Sequence, residues 1–339
     1  MRKAPILLIG GSGTVGRRTA QSLREANPDQ PLLIGGRDLA RAETVAAELG
    51  HAEAVAIDLA AADLGVGERP LAAIALFFAD DTLTALRYAL SRGVPYMSIS
   101  SGIHEVGPEL ATQMYQPKAA PVVFGAEWLV GATTIPILHA AKDLARVDSI
   151  NIAGLIDEQD FGGPATLRDI ERLMYTKPAV LTVQGGAYVW LGQGEGAGQF
   201  HAIDGTPVEA ESYSPYDLLT LSVETGADNI RFLLAAGETS SRRRGDPLST
   251  EIIYEITGDG QNGSRQSFRQ AVFHPRGQMP LTALGTAMVL ERLAGLSGGE
   301  PVSAGLYFPS QLIDHDAYMT RFAAIGGEIL PLPASAPAA

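Results

Sequence analysis

The stretch "KAPILLIGGSGTVGRRTAQSL", Lys3 to Leu23, decides how this chain is read. An aliphatic run ends abruptly in spaced glycines, and an amphipathic stretch follows at once. Gly11-Ser12-Gly13-Thr14-Val15-Gly16 fits the pattern G-x-G-x-x-G, and Gly10 lies three residues before Gly13. Each glycine has its own task. The first allows a tight turn, the second lets the backbone approach a pyrophosphate, and the third permits close contact between helix and strand. A helix starting there turns its first N–H groups and the positive end of its dipole toward the phosphates. The context such a pattern needs is present: an apolar strand before it, a helix after it, and a second strand ending about twenty residues on. The sequence therefore predicts a dinucleotide cradle built from Gly11, Ser12, Gly13, Thr14, Val15 and Gly16, with a plain glycine turn as the alternative.

Working outward, the first third alternates short apolar runs with helical patterns, as parallel strands joined by crossover helices do. Strands are expected at 5–10, 31–36, 54–58, 72–78, 95–100 and 121–126, with helices in "GRRTAQSLREA", "LARAETVAAEL" and "TLTALRYALSRG". After Val147 the texture changes to longer, mostly antiparallel strands: "DSINIAGLI", "AVLTVQGGAYVWL", "RFLLAAG", "STEIIYEITGDG" and "SRQSFRQAVFH". The "GDGQNG" between the last two supplies a hairpin turn. A helix, "ATLRDIERLMY", interrupts this set, and "LTALGTAMVLERLAG" returns to a helical pattern. The fold class is α/β: a doubly wound parallel Rossmann sheet with an inserted α+β domain carrying a mostly antiparallel sheet. The expected divisions are a dinucleotide-binding domain at 1–127, a substrate and dimerisation domain at 128–279, a helical return to the first domain at 280–330, and a disordered tail at 331–339.

Composition excludes several classes. With 25 basic against 38 acidic residues and a net charge of −13, the chain lacks the basic surface that a nucleic acid requires. The one basic cluster, "SSRRRG" at Ser240 to Gly245, reads as a solvated hairpin tip, with an anion or subunit contact as the alternative. The absence of cysteine removes disulfides, thiolate metal sites and thiol-acyl mechanisms. "IHEVGPE" fails the H-E-x-x-H zinc pattern because Pro108 stands where the second histidine belongs, so no metal is expected. Arg2 and Lys3 before "APILLIG" imitate a secretion signal, but the apolar run is short and meets glycines without a cleavage pattern. No segment approaches the ~18 uninterrupted apolar residues of a membrane span. The expectation is a cytoplasmic protein that engages neither membrane nor nucleic acid and acts on a small molecule.

The end of the second strand bears on cofactor choice. NAD usage calls for an acidic residue there to take the ribose hydroxyls, whereas a 2′-phosphate calls for an arginine. This chain has "IGGRD": Gly36 occupies the acid's position and Arg37 follows, with Arg41 one helical turn later. Asp38 reads as the cap of the next helix. NADP(H) is thus expected over NAD(H). Asp58, at the end of the third strand, is placed for the adenine amino group or for a helix cap, and Phe78 and Ala79, at and just after the end of the fourth, border the cofactor.

Taken together, the glycine fingerprint, "GRDLARAETVAAEL", "ALRYALSRGVPYMSISS", "VVFGAEWLVGATTIPILHAAKDL" and the late "LTALGTAMVLERLAG" helix resemble the saccharopine dehydrogenase-like family of NAD(P)-dependent reductases. The likeness covers most of the chain. It departs at Ser98, where the family often has aspartate, and within "GAEWLVG", where a proline is customary. The resemblance implies a Rossmann domain with an inserted α/β domain, a homodimer, and reduction of an imine formed between an amine and a carbonyl compound.

Imine reduction asks for hydride alignment, a polar group for the nitrogen and exclusion of water. Substrates of a doubly wound sheet lie outside the carboxyl ends of its strands. That selects Asp80 and Asp81 after the fourth strand, His104 and Glu105 after the fifth, and Glu127 with Trp128 after the sixth. Asp80 is either a helix cap or catalytic, and His104 either a general acid or a solvated loop residue. Glu127 sits in an apolar segment, so it either pairs structurally or attracts a cationic amine, with Trp128 as a stacking wall or a core residue. Tyr175 and Lys177, in "MYTKPA", are the substrate-side candidates of the second domain, or else merely end a helix. They lack the Y-x-x-x-K spacing of short-chain dehydrogenases. Reduction of C=O or an activated C=C bond, and a non-catalytic NADP(H) sensor, remain the alternatives.

Overall fold

The computed structural model describes residues 3–99, 102–160, 162–176, 179–192 and 194–333, with backbone only at 173 and 174. Strands β1 (Ile6–Ile9), β2 (Leu32–Gly36), β3 (Ala52–Ala56), β4 (Ala73–Leu76), β5 (Tyr96–Ser98) and β6 (Pro121–Phe124) are interspersed with helices α1 (Thr14–Ala26), α2 (Leu39–Leu49), α3 (Thr84–Arg92) and α4 (Gly107–Met114). Next come α5 (Thr134–Ala141), β7 (Leu144–Asp157), α6 (Pro164–Thr176), β8 (Val180–Gln184), β9 (Ala187–Leu191), β10 (Gly198–His201) and β11 (Pro207–Ser212). Then follow α7 (Asp217–Thr225), β12 (Asn229–Gly237), α8 (Ser240–Arg243), β13 (Thr250–Gly260) and β14 (Arg265–His274). The last elements are α9 (Met279–Leu293), β15 (Gly305–Tyr307), α10 (Pro309–Leu312), α11 (His315–Ala324) and β16 (Glu328–Leu332).

Contacts divide the chain into two units. The first comprises Met1–Ala126, Gly162–Glu171 and Thr282–Ile313; the second comprises Glu127–Phe161, Arg172–Leu281 and Asp314–Ala339. In the first unit, seven strands form a parallel sheet in the order β15-β6-β5-β4-β1-β2-β3. Every residue of β1, β4 and β6 is buried. Parallel strands covered on both faces need such unbroken aliphatic runs, which is why "ILLI" and "AIAL" read so plainly. One side of this core packs Leu7, Ile9, Ile74 and Leu76 of the sheet against Leu86 and Leu90 of α3. Strand order reverses at β1, which pairs with β2 on one side and β4 on the other.

The second unit carries a mixed sheet in the order β10-β11-β12-β7-β13-β14-β16, with the hairpin β8–β9 joined to β12. The long central strand β7 pairs antiparallel to β13 and parallel to β12, the one parallel pair among the described strands of this sheet. "AVLTVQGGAYVWL" is two strands, because Gly185 and Gly186 both take positive φ and fold the run back on itself. Helix α5 packs against α7 and α11. The return to the first unit, expected over 280–330, spans Thr282–Ile313. Residues 331 and 332, expected in a tail, belong to β16, which pairs with β14 at the sheet's edge. Pro331 reads as a strand breaker, yet an edge strand has an unpaired side on which a missing N–H costs nothing.

The arginine cluster departs from its expected form. It is a helical turn, α8, whose arginines hold one buried acid, Asp157, and two exposed ones, Glu158 and Asp204. Arg242 donates to Asp157 Oδ1 at 2.9 Å and to Glu158 Oε1 at 3.1 Å, while Arg243 makes a two-pronged contact with Asp204 at 2.7 and 3.0 Å. Asp157 is 1% exposed and also accepts from Thr239 and the Gln159 N–H. Burial pushes its carboxyl up, but these donors outweigh burial and hold it below the usual aspartate range. Removing one partner of a buried pair leaves a charge stranded. Arg242→Ala is therefore expected to destabilise the protein by about 2–3 kcal/mol, less than a wholly unpaired acid would cost because the other donors remain. Urea unfolding checks this; a midpoint equal to wild type would refute it.

Candidate functional site

The glycine turn of the first unit is built as its sequence requires. Gly10 sits at φ +90°, and its N–H donates to Gly35 O at 2.8 Å, tying the end of β1 to β2. Gly13 ends the turn by donating to Gly10 O at 2.9 Å. A Cβ on Gly16 would lie 2.4 Å from Gly10 O and 2.7 Å from Gly11 Cα, so only glycine lets α1 come this close to the turn. A Cβ on Gly11 would meet Leu8 O at 2.8 Å. Helix α1 begins with Gly13 as its N-cap and no side-chain cap. The first N–H with an intrahelical partner is that of Arg17, which leaves the N–H groups of Thr14, Val15 and Gly16 available to an anion. Phe78 flanks this turn: its ring carbon Cδ1 is 3.2 Å from where a Gly10 Cβ would stand. Ala79, half-buried, follows it.

The last residue of β2 is Gly36, where an acid would stand in an NAD site. The atom nearest a Cβ on Gly36 would be Ser12 Oγ, at 3.6 Å. Asp38 caps α2 by accepting from the Arg41 N–H at 3.1 Å. Arg37 is exposed, and among the described residues nothing engages its guanidinium. Between α1 and α2 opens a cavity of about 520 Å³ lined by Ser12, Gly13, Thr14, Arg17, Arg18, Gln21, Arg41, Thr44 and Val45. Asp58 is exposed and one carboxylate oxygen accepts from Ala60 N–H at 2.9 Å, so it shapes its own turn.

The catalytic candidates separate. Asp80 is largely buried, and both of its oxygens are occupied: one accepts from Thr82 N–H at 3.0 Å and from the Thr82 hydroxyl, the other from Ala85 N–H at 3.0 Å. It takes the capping role at α3, where Leu83 at φ +55° offers no side-chain oxygen. His104 lies exposed on the turn after β5, beside Glu105, which accepts from Gly102 N–H.

In the second unit Glu127 is 1% exposed and accepts from the Thr220 hydroxyl at 2.8 Å. Its neighbour is an acid that the sequence did not single out, Asp217, fully buried at the start of α7. Asp217 accepts from Trp128 N–H at 2.6 Å and from the Thr134 hydroxyl at 2.8 Å. Burial, and then the charge of Glu127, push the Asp217 carboxyl up to about 7. The turn joining these residues is strained. Leu129 and Val130 both take positive φ, 52° and 58°, and Val130 is a buried β-branched residue for which this region is costly. Gly131 follows at φ +90°, and its Cβ would stand 3.6 Å from Glu127 Oε2.

Trp128, expected either as a substrate wall or in the core, is a core residue. Its ring lies edge-on to Phe232 at 5.3 Å and covers Gly154 of β7, where a Cβ would sit 2.4 Å from the indole. Tyr175 ends α6 with 89% of its surface exposed, and Lys177 lies outside the described residues. Among the described residues no helix is long and apolar enough to cross a membrane.

A Rossmann-type parallel unit with a glycine-turn cradle, and a second α+β unit with a mixed sheet, define the architecture. This fold is similar to that of two solved structures. The apo saccharopine dehydrogenase (L-Glu forming) of Saccharomyces cerevisiae matches with a TM-score of 0.62 at 13% identity, over 97% of this chain and 100% of that one. The homospermidine synthase of Legionella pneumophila, solved in complex with NAD, matches with a TM-score of 0.63 at 9% identity, over 98% of this chain and 92% of that one. At these identities the likeness is one of fold. No family profile matches the chain, and no curated protein sequence matches it.

Proposed function

We propose that this chain is an NADP(H)-dependent oxidoreductase that reduces a C=N bond of a small molecule. The observation that carries the reading is the uncapped start of α1, packed through the Cβ-intolerant Gly16 onto the glycine turn at the reversal of strand order. The N–H groups of Thr14, Val15 and Gly16 have no side-chain cap, and a helix start that close to a glycine turn holds its donors and the positive end of its dipole toward an anion. The NAD complex of the Legionella homospermidine synthase, which shares the fold, supports a nicotinamide dinucleotide as that anion. Gly36 in place of an acid, together with the free Arg37, supports the phosphorylated form of the cofactor.

When bound, the dinucleotide supplies a hydride. The chain's own tasks are to hold the pyrophosphate on the N–H groups of Thr14, Val15 and Gly16, to orient the C=N carbon, and to provide a proton for the nitrogen. His104, exposed after β5, and the Glu127–Asp217 pair, which retains a proton near neutral pH, are the candidates for the last task. A homodimer belongs to this reading, and light scattering checks it.

The test is a panel of a preformed cyclic imine, the matched ketone and an enone, each followed by NADPH absorbance. The imine is expected to be turned over at least about tenfold more efficiently than the others, a difference of about 1.4 kcal/mol in barrier. Turnover of the ketone or enone alone would replace the C=N assignment. Tight NADPH binding with no turnover on any of the three would make the chain a sensor.

A further inference from the structure

We infer that the cavity between α1 and α2 is a phosphomonoester clamp, in which Arg18 and Arg41 grip the 2′-phosphate of the adenosine ribose and set the preference for NADP(H) over NAD(H). The inference rests on the dinucleotide reading above. It moves the leading part from Arg37 to Arg18, and to Arg41, which the sequence places only as an assistant to Arg37.

The geometry is periodic. Thr14, Arg17, Arg18 and Gln21 recur at i, i+3, i+4 and i+7 along α1, and Arg41, Thr44 and Val45 begin the same progression on α2. Each set occupies one face of its helix, and both sets line one cavity. Three arginines line it and no acid does, in a chain with 38 acidic residues against 25 basic ones. Arg17 is already neutralised, since it pairs with Glu48 of α2 and so braces the two helices. Among the described residues nothing engages the guanidinium of Arg18 or Arg41, which leaves two uncompensated positive charges lining the cavity, one from each helix.

Two guanidinium forks on one cavity match a phosphomonoester dianion, because each fork can take two oxygens at once. A carboxylate would satisfy only one of them. The hydroxyls of Ser12, Thr14 and Thr44 supply further donors around the same space. The position selects the phosphate. Ser12, Gly13 and Thr14 belong both to this cavity and to the glycine turn, so an anion here adjoins the pyrophosphate cradle. Ser12 also faces the open position at Gly36, where the ribose-binding acid of an NAD site would stand. A free inorganic phosphate offers the same oxygens, and the test separates the two sources.

The experiment titrates NADPH and NADH by cofactor fluorescence against wild type, Arg18→Ala, Arg41→Ala, the double variant and Arg37→Ala, repeating the wild-type titrations in inorganic phosphate. All three arginines are exposed, and unchanged melting certifies the variants. Each cavity arginine is expected to weaken NADPH by roughly tenfold, the scale of one charge-assisted interaction. NADH should change less than twofold, and Arg37→Ala should have a smaller effect on NADPH than either cavity variant. Inorganic phosphate should compete more strongly with NADPH than with NADH. An unchanged NADPH-to-NADH ratio in the double variant would overturn the clamp while leaving the cofactor reading intact. Phosphate bound in the cavity without displacing NADPH would overturn it too, as an independent anion site. Failure of wild type to bind either dinucleotide is a different result, for it removes the functional reading itself.

Discussion

Gly16→Ala is expected to weaken binding of either nicotinamide dinucleotide by at least about 100-fold, close to 2.7 kcal/mol. The added methyl carbon would stand 2.4 Å from Gly10 O and 2.7 Å from Gly11 Cα. Both neighbours are backbone, so no rotamer change can relieve the overlap. Helix α1 would have to withdraw from β1, and the turn would open. Gly13 N–H would lose its alignment with Gly10 O, and the three free N–H groups at the helix start would move with it. Pyrophosphate recognition depends on those donors sharing one focus, so a shift of about an ångström is enough to lose it. Stability should fall as well, by the 1–3 kcal/mol typical of overpacking. The informative readout is therefore calorimetric titration below the variant's melting temperature. Gly13→Ala serves as the companion, because its Cβ would approach Gly10 O only to 3.1 Å. If Gly16→Ala bound NADPH and NADH as wild type does, the turn would be a connector and not a cradle.

The parallel sheet was legible because its physics is local. A strand buried on both faces must be apolar throughout, and β1, β4 and β6 are just that. The second sheet was less so. β10 and β11 bury one residue each, Phe200 and Ala210, which leaves too weak an alternation to mark a strand. β16 was hidden by a proline that only an edge position tolerates. The site divides in the same way. The glycine turn announces itself in six consecutive residues, and the Asp38 and Asp80 caps follow from their places before helices. The role of Trp128 could not be read from its own neighbourhood in sequence. It is fixed by Gly154 and Phe232, both distant along the chain. Asp217 was missed for that reason as well, since its partner Trp128 lies 89 residues away. A signal did exist. An acid heading the apolar run "DLLTLSV" poses the same question as Glu127 inside "AEWLVG": where does a carboxylate go when its surroundings are apolar?

Asp217 answers by keeping its proton, and stability should record this. Its carboxyl has an ordinary value of 3.8 and is pushed up to about 7 in the folded protein, first by burial and then by the charge of Glu127. Between those limits the folded state binds more protons than the unfolded state. The free energy of unfolding therefore falls as pH rises. The contribution is fully favourable below about pH 4, declines through the window, and is lost above about pH 7. The rise from 3.8 to about 7 sets a ceiling of about 4 kcal/mol on the loss. Asp157 and Asp204 act with the opposite sign, but their carboxyls are held below 3.8 and titrate under this window. Asp217→Asn should flatten the profile between pH 5 and pH 8. The amide oxygen can accept from Trp128 N–H, and the amide nitrogen can donate to the Thr134 hydroxyl, replacing both existing contacts without a charge. Glu127→Gln should flatten it in part, because it removes the neighbouring charge and leaves the burial. Urea unfolding of the three proteins at both pH values measures the difference, and parallel profiles would mean that Asp217 ionises normally. The functional consequence follows from the same proton. With its carboxyl pushed up to about 7 beside Glu127, Asp217 carries a proton in part of its population at neutral pH, as a donor to an imine nitrogen requires. If the pair serves catalysis, Asp217→Asn must also shift the pH dependence of turnover. A variant that flattens stability while leaving that profile in place would confine the pair to the architecture of its unit.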